Sequence, residues 1–104
     1  MEAAFIYVTA VDKSEALEIG RVLVEERLVA CVNVLEGITS LYWWEGEIHQ
    51  ESEAVLVAKT KRMLLDDVIE RVRSLHSYDC PCVVSWPIET GNRAYLQWIE
   101  NETK

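Results

Sequence analysis

The chain has 104 residues, half of them hydrophobic, and its 10 basic and 18 acidic residues give a formal charge of −8. This length predicts a single domain over residues 1–104, and the negative charge disfavours nucleic acid and anionic lipid as partners. The apolar run near the N-terminus is only about eight residues long. Because roughly 20 are needed to span a bilayer, we expect no membrane partner.

Cysteine and aromatic content indicate where and how the chain is assembled. Cys31, Cys80 and Cys82 are an odd number of thiols in a chain large enough to fold without disulfides, which predicts reduced cysteines and a cytoplasmic location. Four tryptophans and four tyrosines are more aromatic surface than so small a core easily buries. We therefore expect an oligomer.

The first elements in chain order are a strand and a helix. Residues 3–11 form a nearly continuous apolar run, which is typical of a central strand covered on both faces. Asp12 and Glu15 then have the spacing of a capping box, and apolar residues repeat at helical spacing after them. These signals predict a helix over residues 12–28.

An antiparallel meander is predicted next. Residues 28–35 and 52–60 have strand composition, and Glu36-Gly37 permits a bend or bulge. Residues 44–47 are typical of a hairpin tip or a second bulge. His49 lies in the polar stretch that follows and is predicted to be a solvated loop histidine.

The second half predicts helix, strand and helix. An apolar stripe marks the second helix, which is expected to end at His76-Ser77 with Asp67 and Arg71 paired on its wet side. Pro81 precedes the short strand predicted over residues 82–88 and Pro87 lies near its end, which suits an edge strand or a strand terminus. Thr90 or Asn92 is expected to cap a last helix. The stripe is Leu65, Val68, Ile69, Val72 and Leu75, and the last helix carries Tyr95, Trp98 and Ile99 on one face.

The order β-α-β-β-α-β with a C-terminal helix predicts an α+β, ferredoxin-like sandwich, in which an antiparallel sheet has helices on one face. The other face is exposed unless a second subunit covers it. Trp43 and Trp44 point to opposite faces of an extended segment, so both cannot enter one small core. Either one is core and one surface, or, as we favour, the hairpin projects and is buried between subunits.

The stretch HSYDCPC, residues 76–82, carries the residue types of a metal site. His76 ends a helix, and Cys80 and Cys82 would project on the same side of an extended chain. Two or three ligands do not make a structural zinc site, which needs four. From the residues alone, core or strand-edge cysteines are favoured over metal ligands, and a strained Cys80–Cys82 disulfide ranks third.

Four blocks together resemble the CutA divalent-cation tolerance proteins: ERLVACVNVL, ITSLYWWEGEIHQESEAVLVAKT, LHSYDCPCVV and WPIETGNRAYLQWI. The resemblance implies a ferredoxin-like subunit in a homotrimer with an architecture similar to the PII signalling proteins. It also implies a response to copper or another divalent cation, with no firmly bound cofactor and no enzymatic reaction.

Only one of the three positions that the family resemblance implies as metal ligands carries the family's residue in this chain. Copper ligation in the family is attributed to a cysteine late in the first strand, the histidine of an H-x-Y step and the glutamate of a P-E step. The corresponding residues here are Val8, His76 with Tyr78 after it, and Cys82 after Pro81. We therefore expect His76 and Cys82 as metal ligands, and sulfur in place of a carboxylate favours Cu(I) or zinc. The match of the stretch HSYDCPC to the family also implies that His76 lies near an intersubunit cleft rather than deeply buried.

Three other functions remain open. A trimeric sensor would bind a small anionic metabolite between subunits, using Trp44, Lys59, His76 and Tyr78. A structural or chaperone-like trimer would need no ligand. An enzyme with Cys82 as nucleophile and His76 as base is disfavoured, because no oxyanion hole is evident.

Overall fold

The computed structural model describes residues 1–104 as one four-stranded antiparallel sheet with three helices. The strand order is β2-β3-β1-β4, so β1 is central and β4 is an edge, both as predicted. The order of elements along the chain is also confirmed. The elements are β1 (Ala3–Ala10), α1 (Lys13–Glu25), β2 (Cys31–Trp44), β3 (Glu47–Lys61), a short 3-10 turn (Arg62–Leu64), α2 (Leu65–Leu75), β4 (Val83–Ile88) and α3 (Arg93–Glu102).

The core lies between one face of the sheet and helices α1 and α2. Alternate residues of β1 and β3 point to this side, because successive side chains of a strand face opposite ways. Gly20 brings α1 close to the sheet, since a Cβ atom there would lie 2.9 Å from Cγ2 of Val32. The core residues are Ile6, Val8, Ala10, Ala16, Ile19, Leu23, Leu28, Val29, Ala54, Leu56, Ala58, Val68 and Val72.

Helix α1 begins where predicted and ends earlier. The Asp12 carboxylate accepts a hydrogen bond from the Glu15 backbone N–H at 2.9 Å, which caps the helix. The helix ends at Glu25 rather than at residue 28, and β2 begins at Cys31 rather than at residue 28. Arg27 adopts a left-handed φ of 57°, which breaks both helix and strand geometry, and the next residues turn inward to join the core.

The β2–β3 hairpin has the predicted bulge and tip. The register shifts between Leu35 and Ile38, and Glu45 and Gly46 form a two-residue turn with φ values of 51° and 80°. The prediction of a loop at His49 is wrong. That ring lies in β3 and stacks on its cross-strand neighbour Tyr42 with 5.6 Å between ring centroids.

Helix α2 has a different ion pair from the predicted one. The Asp67–Arg71 pair is not formed. Instead, Nη2 of Arg71 lies 2.8 Å from Oε2 of Glu26, at the end of α1. The Arg71 guanidinium therefore pairs with a carboxylate at the end of the neighbouring helix, so the ion pair joins α2 to α1 rather than two turns of α2.

Helix α3 lies on the opposite face of the sheet from α1 and α2. Asn92 caps it by accepting a hydrogen bond from the Ala94 N–H, as predicted. Tyr95 reaches side chains of β2 and β3 that face away from the core, and Ile99 is fully buried. The helix covers only part of this face, and Trp86 of β4 remains 48% exposed.

Candidate functional site

His76 lies at the junction of α2 and the loop that leads to β4, with its side chain fully buried. Its Nε2 atom lies 2.7 Å from the Thr9 carbonyl oxygen, and its Nδ1 atom accepts a hydrogen bond from the Tyr78 N–H at 3.1 Å. The ring proton is therefore assigned to Nε2, because Nδ1 is the acceptor. The expectation that His76 avoids burial is wrong for the single chain, since these two bonds draw the ring inward.

Glu15 holds the same junction from the other side. Its Oε1 atom accepts from the Val11 N–H at 3.0 Å and its Oε2 atom accepts from the Ser77 N–H at 2.9 Å. Burial acts to raise the pKa of this carboxyl, but the hydrogen bonds outweigh burial and the net pKa is lowered. One carboxylate therefore ties the start of α1 to the loop after α2.

Tyr78 anchors the loop to the sheet. Its hydroxyl donates a hydrogen bond to Oε2 of Glu53 at 2.7 Å. Burial, followed by the bond to Glu53 and the neighbouring negative charge, raises the pKa of the Tyr78 hydroxyl. The Tyr78 phenol is therefore a hydrogen-bond donor at neutral pH. We call His76 and Tyr78 together the clasp, because their hydrogen bonds fix the loop after α2 to β1 and β3 within the single chain.

The two cysteines of the loop have a different environment. Cys80 and Cys82 are exposed and free, while Val8 is fully buried in the core. No group of three or more His, Cys, Asp or Glu side chains is gathered where it could hold a metal ion. Of the predicted ligands, the Cys82 thiol is thus accessible, and the His76 ring has both nitrogens engaged.

The residues predicted to line a ligand cleft are spread along the molecule. Trp44 is paired with Glu47, whereas Lys59 lies twelve residues further along β3. At about 3.3 Å per residue that separation is roughly 40 Å. Tyr78 contacts Glu53, between these two ends. One chain alone therefore does not bring Trp44, Lys59 and Tyr78 into one pocket.

Lys59 instead forms a polar cluster that the sequence did not predict. Its Nζ atom lies 3.2 Å from the Tyr95 hydroxyl, 3.3 Å from Oδ1 of Asn33 and 3.7 Å from Sγ of Cys31. The Cys31 sulfur also lies 3.4 Å from the Tyr95 hydroxyl. We call these four residues the Cys31 cluster. The Cys-x-Asn spacing in β2 was the available signal, since it puts both side chains on one face, but neither the β2–β3 register nor the position of α3 can be read from it.

The family follows from sequence and fold together. Residues 4–102 match the family model described as CutA1 divalent ion tolerance protein. The chain belongs to the CutA1 family. It is 42% identical over 98 residues to the divalent-cation tolerance protein CutA of Thermus thermophilus, a match that covers 94% of this chain and 95% of the relative. It is 41% identical over 99 residues to the chloroplastic protein CutA 1 of Oryza sativa, covering 95% of this chain and 56% of the relative.

Solved CutA1 structures have the same fold. The crystal structure of CutA1 from Oryza sativa superposes with a TM-score of 0.97 at 39% identity, covering 100% of this chain and 95% of that one. The periplasmic divalent cation tolerance protein CutA from Archaeoglobus fulgidus gives a TM-score of 0.95 at 38% identity, covering 98% of this chain and 99% of that one. These matches confirm the predicted family and α+β fold.

CutA1 relatives differ in length and location. The chain spans about half the length of the plant relatives it matches and nearly all of the Thermus protein. Their names place members in chloroplasts or the periplasm, so a cytoplasmic location for this CutA1 protein stays a prediction. None of its three helices has the length and hydrophobicity needed to cross a membrane.

Proposed function

We propose that this protein acts in divalent-cation tolerance as a homotrimer that binds a soft metal ion, copper in the first instance. The metal would bind at the loop between α2 and β4, with Cys82 and His76 as ligands. The observation that carries the proposal is the exposure of two free thiols, Cys80 and Cys82, two residues apart in this loop. Relatives from Thermus and Archaeoglobus are named divalent-cation tolerance proteins, which supports the class of ligand.

The donor set favours a soft ion. Thiolates prefer Cu(I) and zinc to harder divalent ions, and low coordination numbers suit Cu(I). His76 can join Cys82 only if its ring gives up the hydrogen bond from the Tyr78 N–H or the one to the Thr9 carbonyl. Metal binding by His76 would therefore loosen the clasp, whereas binding by Cys82 would not.

A chelator-competition titration with Cu(I) tests the metal proposal. We expect Cys82→Ser to weaken Cu(I) binding by at least about tenfold, because it removes the accessible thiolate. Cys31→Ser is the matched control, since it makes the same change in a half-buried cysteine on β2. Unchanged affinity in both Cys82→Ser and His76→Ala would contradict the proposed site.

The assembly part of the proposal rests on the β2–β3 hairpin. β1 pairs with β3 only as far as Ala54, so the preceding part of β3 pairs with β2 alone. A two-stranded ribbon is marginally stable in water, and exposed apolar strands invite association. Its large side chains are exposed: Leu41 66%, Trp43 72%, Trp44 49% and Ile48 63%. A second copy of this chain is the partner we propose for them, with three copies following from the family resemblance.

Sedimentation velocity tests the assembly. We expect the wild-type protein to sediment as a species with three times the mass of one chain. Trp43→Glu should shift the equilibrium toward monomer, because it would bury a charge at the interface. Met63→Glu is the control: Met63 is 79% exposed but lies in the 3-10 turn, away from the hairpin. A trimer that tolerates Trp43→Glu as well as Met63→Glu would exclude the hairpin as the contact.

We further propose that residues 1–104 act as one cytoplasmic binding domain rather than an enzyme. The family is named for tolerance and not for a reaction. A thermal-shift screen that compares Cu(I) and zinc with nucleotides and small anionic metabolites separates metal binding from the sensor alternative. A ligand that binds the native state raises its melting temperature. Stabilisation by a metabolite at the Trp44, Lys59 and Tyr78 positions, with no response to metal, would favour the sensor.

A further inference from the structure

The Cys31 cluster contains a cation without a counter-ion. It lies on the sheet face that α3 partly covers, which we call the α3 face. The Lys59 ammonium there contacts the Tyr95 hydroxyl at 3.2 Å, Oδ1 of Asn33 at 3.3 Å and the sulfur of Cys31 at 3.7 Å, and none of these partners is a carboxylate. None of the ion pairs in the chain includes Lys59. Because a partly buried charge is stabilised by an opposite charge, this face favours an anionic partner.

Two carboxylates without a cation lie at the other end of the same strand. Glu47 and Glu51 are exposed residues of β3 at an even number of positions from Lys59, so all three side chains lie on one side of the strand. The bulge of the β2–β3 hairpin is in β2 and leaves the alternation of β3 unbroken. Neither glutamate takes part in an ion pair. Glu51, the nearer one, lies eight residues or roughly 26 Å from Lys59, so these charges cannot pair within one chain.

The surface beside Lys59 is apolar and exposed. The strand register puts Leu35, Val84 and Trp86 on the α3 face, and each is about half exposed. All four tryptophans of the chain are at least 39% exposed, and at about 200 Å² per side chain they expose roughly 400 Å² together. Each partner of a stable interface buries about 800 Å², so the tryptophans alone supply about half of that area. The exposed surface therefore has the size of a subunit contact rather than of a small-ligand site.

We propose that the β2–β3 hairpin of one copy docks on the α3 face of a second copy and places Glu47 and Glu51 beside the partner's Lys59. This inference rests on the assembly proposed above and names the surface that receives the hairpin. A second copy is the occupant because the cation and the carboxylates that match it are all on this chain and cannot meet within it. The donating and receiving surfaces are different parts of the chain, so the contact is heterologous, and three such contacts can close a ring. The Cys31 cluster is therefore complete only in the assembly.

Subunit exchange between unlabelled and isotopically labelled protein, followed by native mass spectrometry, tests this contact. We expect Glu47→Gln/Glu51→Gln to speed exchange by at least about tenfold, because it leaves the Lys59 ammonium unpaired at the interface. Glu18→Gln is the matched control and should stay within about threefold of the wild-type rate. Glu18 is exposed and forms no ion pair, but it lies in α1 on the other side of the sheet.

A double-mutant cycle identifies the partner of the two carboxylates. Lys59→Met should also speed exchange by about tenfold. Adding the two glutamine substitutions to Lys59→Met should then change the rate by less than about threefold, because the charge pair is already lost. Circular dichroism verifies that Lys59→Met is folded. Residues this far apart in one chain have independent effects, so effects that simply multiply would overturn the proposed pairing.

Charge reversal on the hairpin tests the contact without changing Lys59. Glu47→Lys/Glu51→Lys lowers the net negative charge of every copy, which by itself would weaken the repulsion between copies and slow exchange. The proposal predicts the opposite, exchange faster than in the glutamine variant, because like charges would face each other at the interface. A folded reversal variant that exchanges no faster than the wild type would overturn the pairing, even if Lys59→Met fails to fold. A wild-type protein that sediments as a monomer would overturn the proposed assembly itself, so the two failures are distinguishable.

Discussion

Replacement of His76 should destabilise the fold, and the size of the effect can be worked out from its two hydrogen bonds. His76→Ala removes the partner of the Thr9 carbonyl and the partner of the Tyr78 N–H, both at a ring with no exposed surface. A buried polar group left without a partner costs about 1–3 kcal/mol. We therefore expect His76→Ala to lower the free energy of unfolding by about 3 kcal/mol.

The substitutions His76→Asn and His76→Gln separate the contributions of the two hydrogen bonds to the free energy of unfolding. An asparagine amide oxygen can replace Nδ1 and accept from Tyr78, while a glutamine amide nitrogen can replace Nε2 and donate to Thr9. Each should keep one of the two bonds and lose about 1.5 kcal/mol. The assay is urea unfolding followed by circular dichroism at one fixed chain concentration, because oligomer stability depends on concentration. A loss below about 1 kcal/mol for His76→Ala, or equal losses in all three variants, would refute this account of the clasp.

The same three variants interpret the copper titration. Amide side chains are poor ligands for Cu(I), so a ligating His76 predicts equal loss of copper affinity in the alanine, asparagine and glutamine variants. If His76 is only structural, the Cu(I) affinity of each variant should fall in proportion to its loss of folding stability. His76→Ala should then have the lowest Cu(I) affinity of the three. The two roles therefore give different orders of effect in one experiment.

Three further predictions concern stability. Gly20→Ala should cost about 1–2 kcal/mol despite better helix propensity, because its Cβ would lie 2.9 Å from Cγ2 of Val32 and 3.1 Å from Cδ1 of Leu56, and the cost should be smaller in a Val32→Ala background, which removes the closer contact. Glu45→Asn should raise the free energy of unfolding by about 0.5 kcal/mol, because asparagine tolerates the left-handed φ of 51° at the hairpin tip; an unchanged urea midpoint would contradict this. The lowered pKa of Glu15 means that its stabilisation is present above the ordinary value of 4.5 and is lost as pH falls through the folded-state pKa, so in urea unfolding Glu15→Gln should lose less stability than the parent on acidification below pH 4.5.

Local signals predicted local structure well. The Asp12 cap, the Glu36-Gly37 bulge and the Asn92 cap are set by residues within a few positions of each other, and all three are present. The errors have the opposite character. Arg71 pairs with Glu26, 45 residues away, and His49 stacks on a tyrosine of the neighbouring strand. Periodicity within one element carries no information about such partners.

The candidate site shows the same division. The H-x-Y step was found from the sequence, but the partners of His76 and Tyr78 lie 67 and 25 residues away. The sequence therefore located the clasp without predicting that both ring nitrogens are occupied. Likewise, Cys31 and Lys59 face each other only because β2 and β3 pair in one particular register. A shift of one residue would put the two side chains of such a pair on opposite faces.

The two kinds of cysteine in this chain differ in how well they suit a metal cation. Cys31 lies beside the Lys59 ammonium, which repels a cation. Cys82 is exposed in a loop of a chain with charge −8, where a cation is attracted. Cys31→Ser should therefore leave Cu(I) affinity unchanged, while Cys82→Ser should weaken it by at least about tenfold. Equal losses of Cu(I) affinity in the two variants would mean that the charge around each thiol does not decide which one binds the metal.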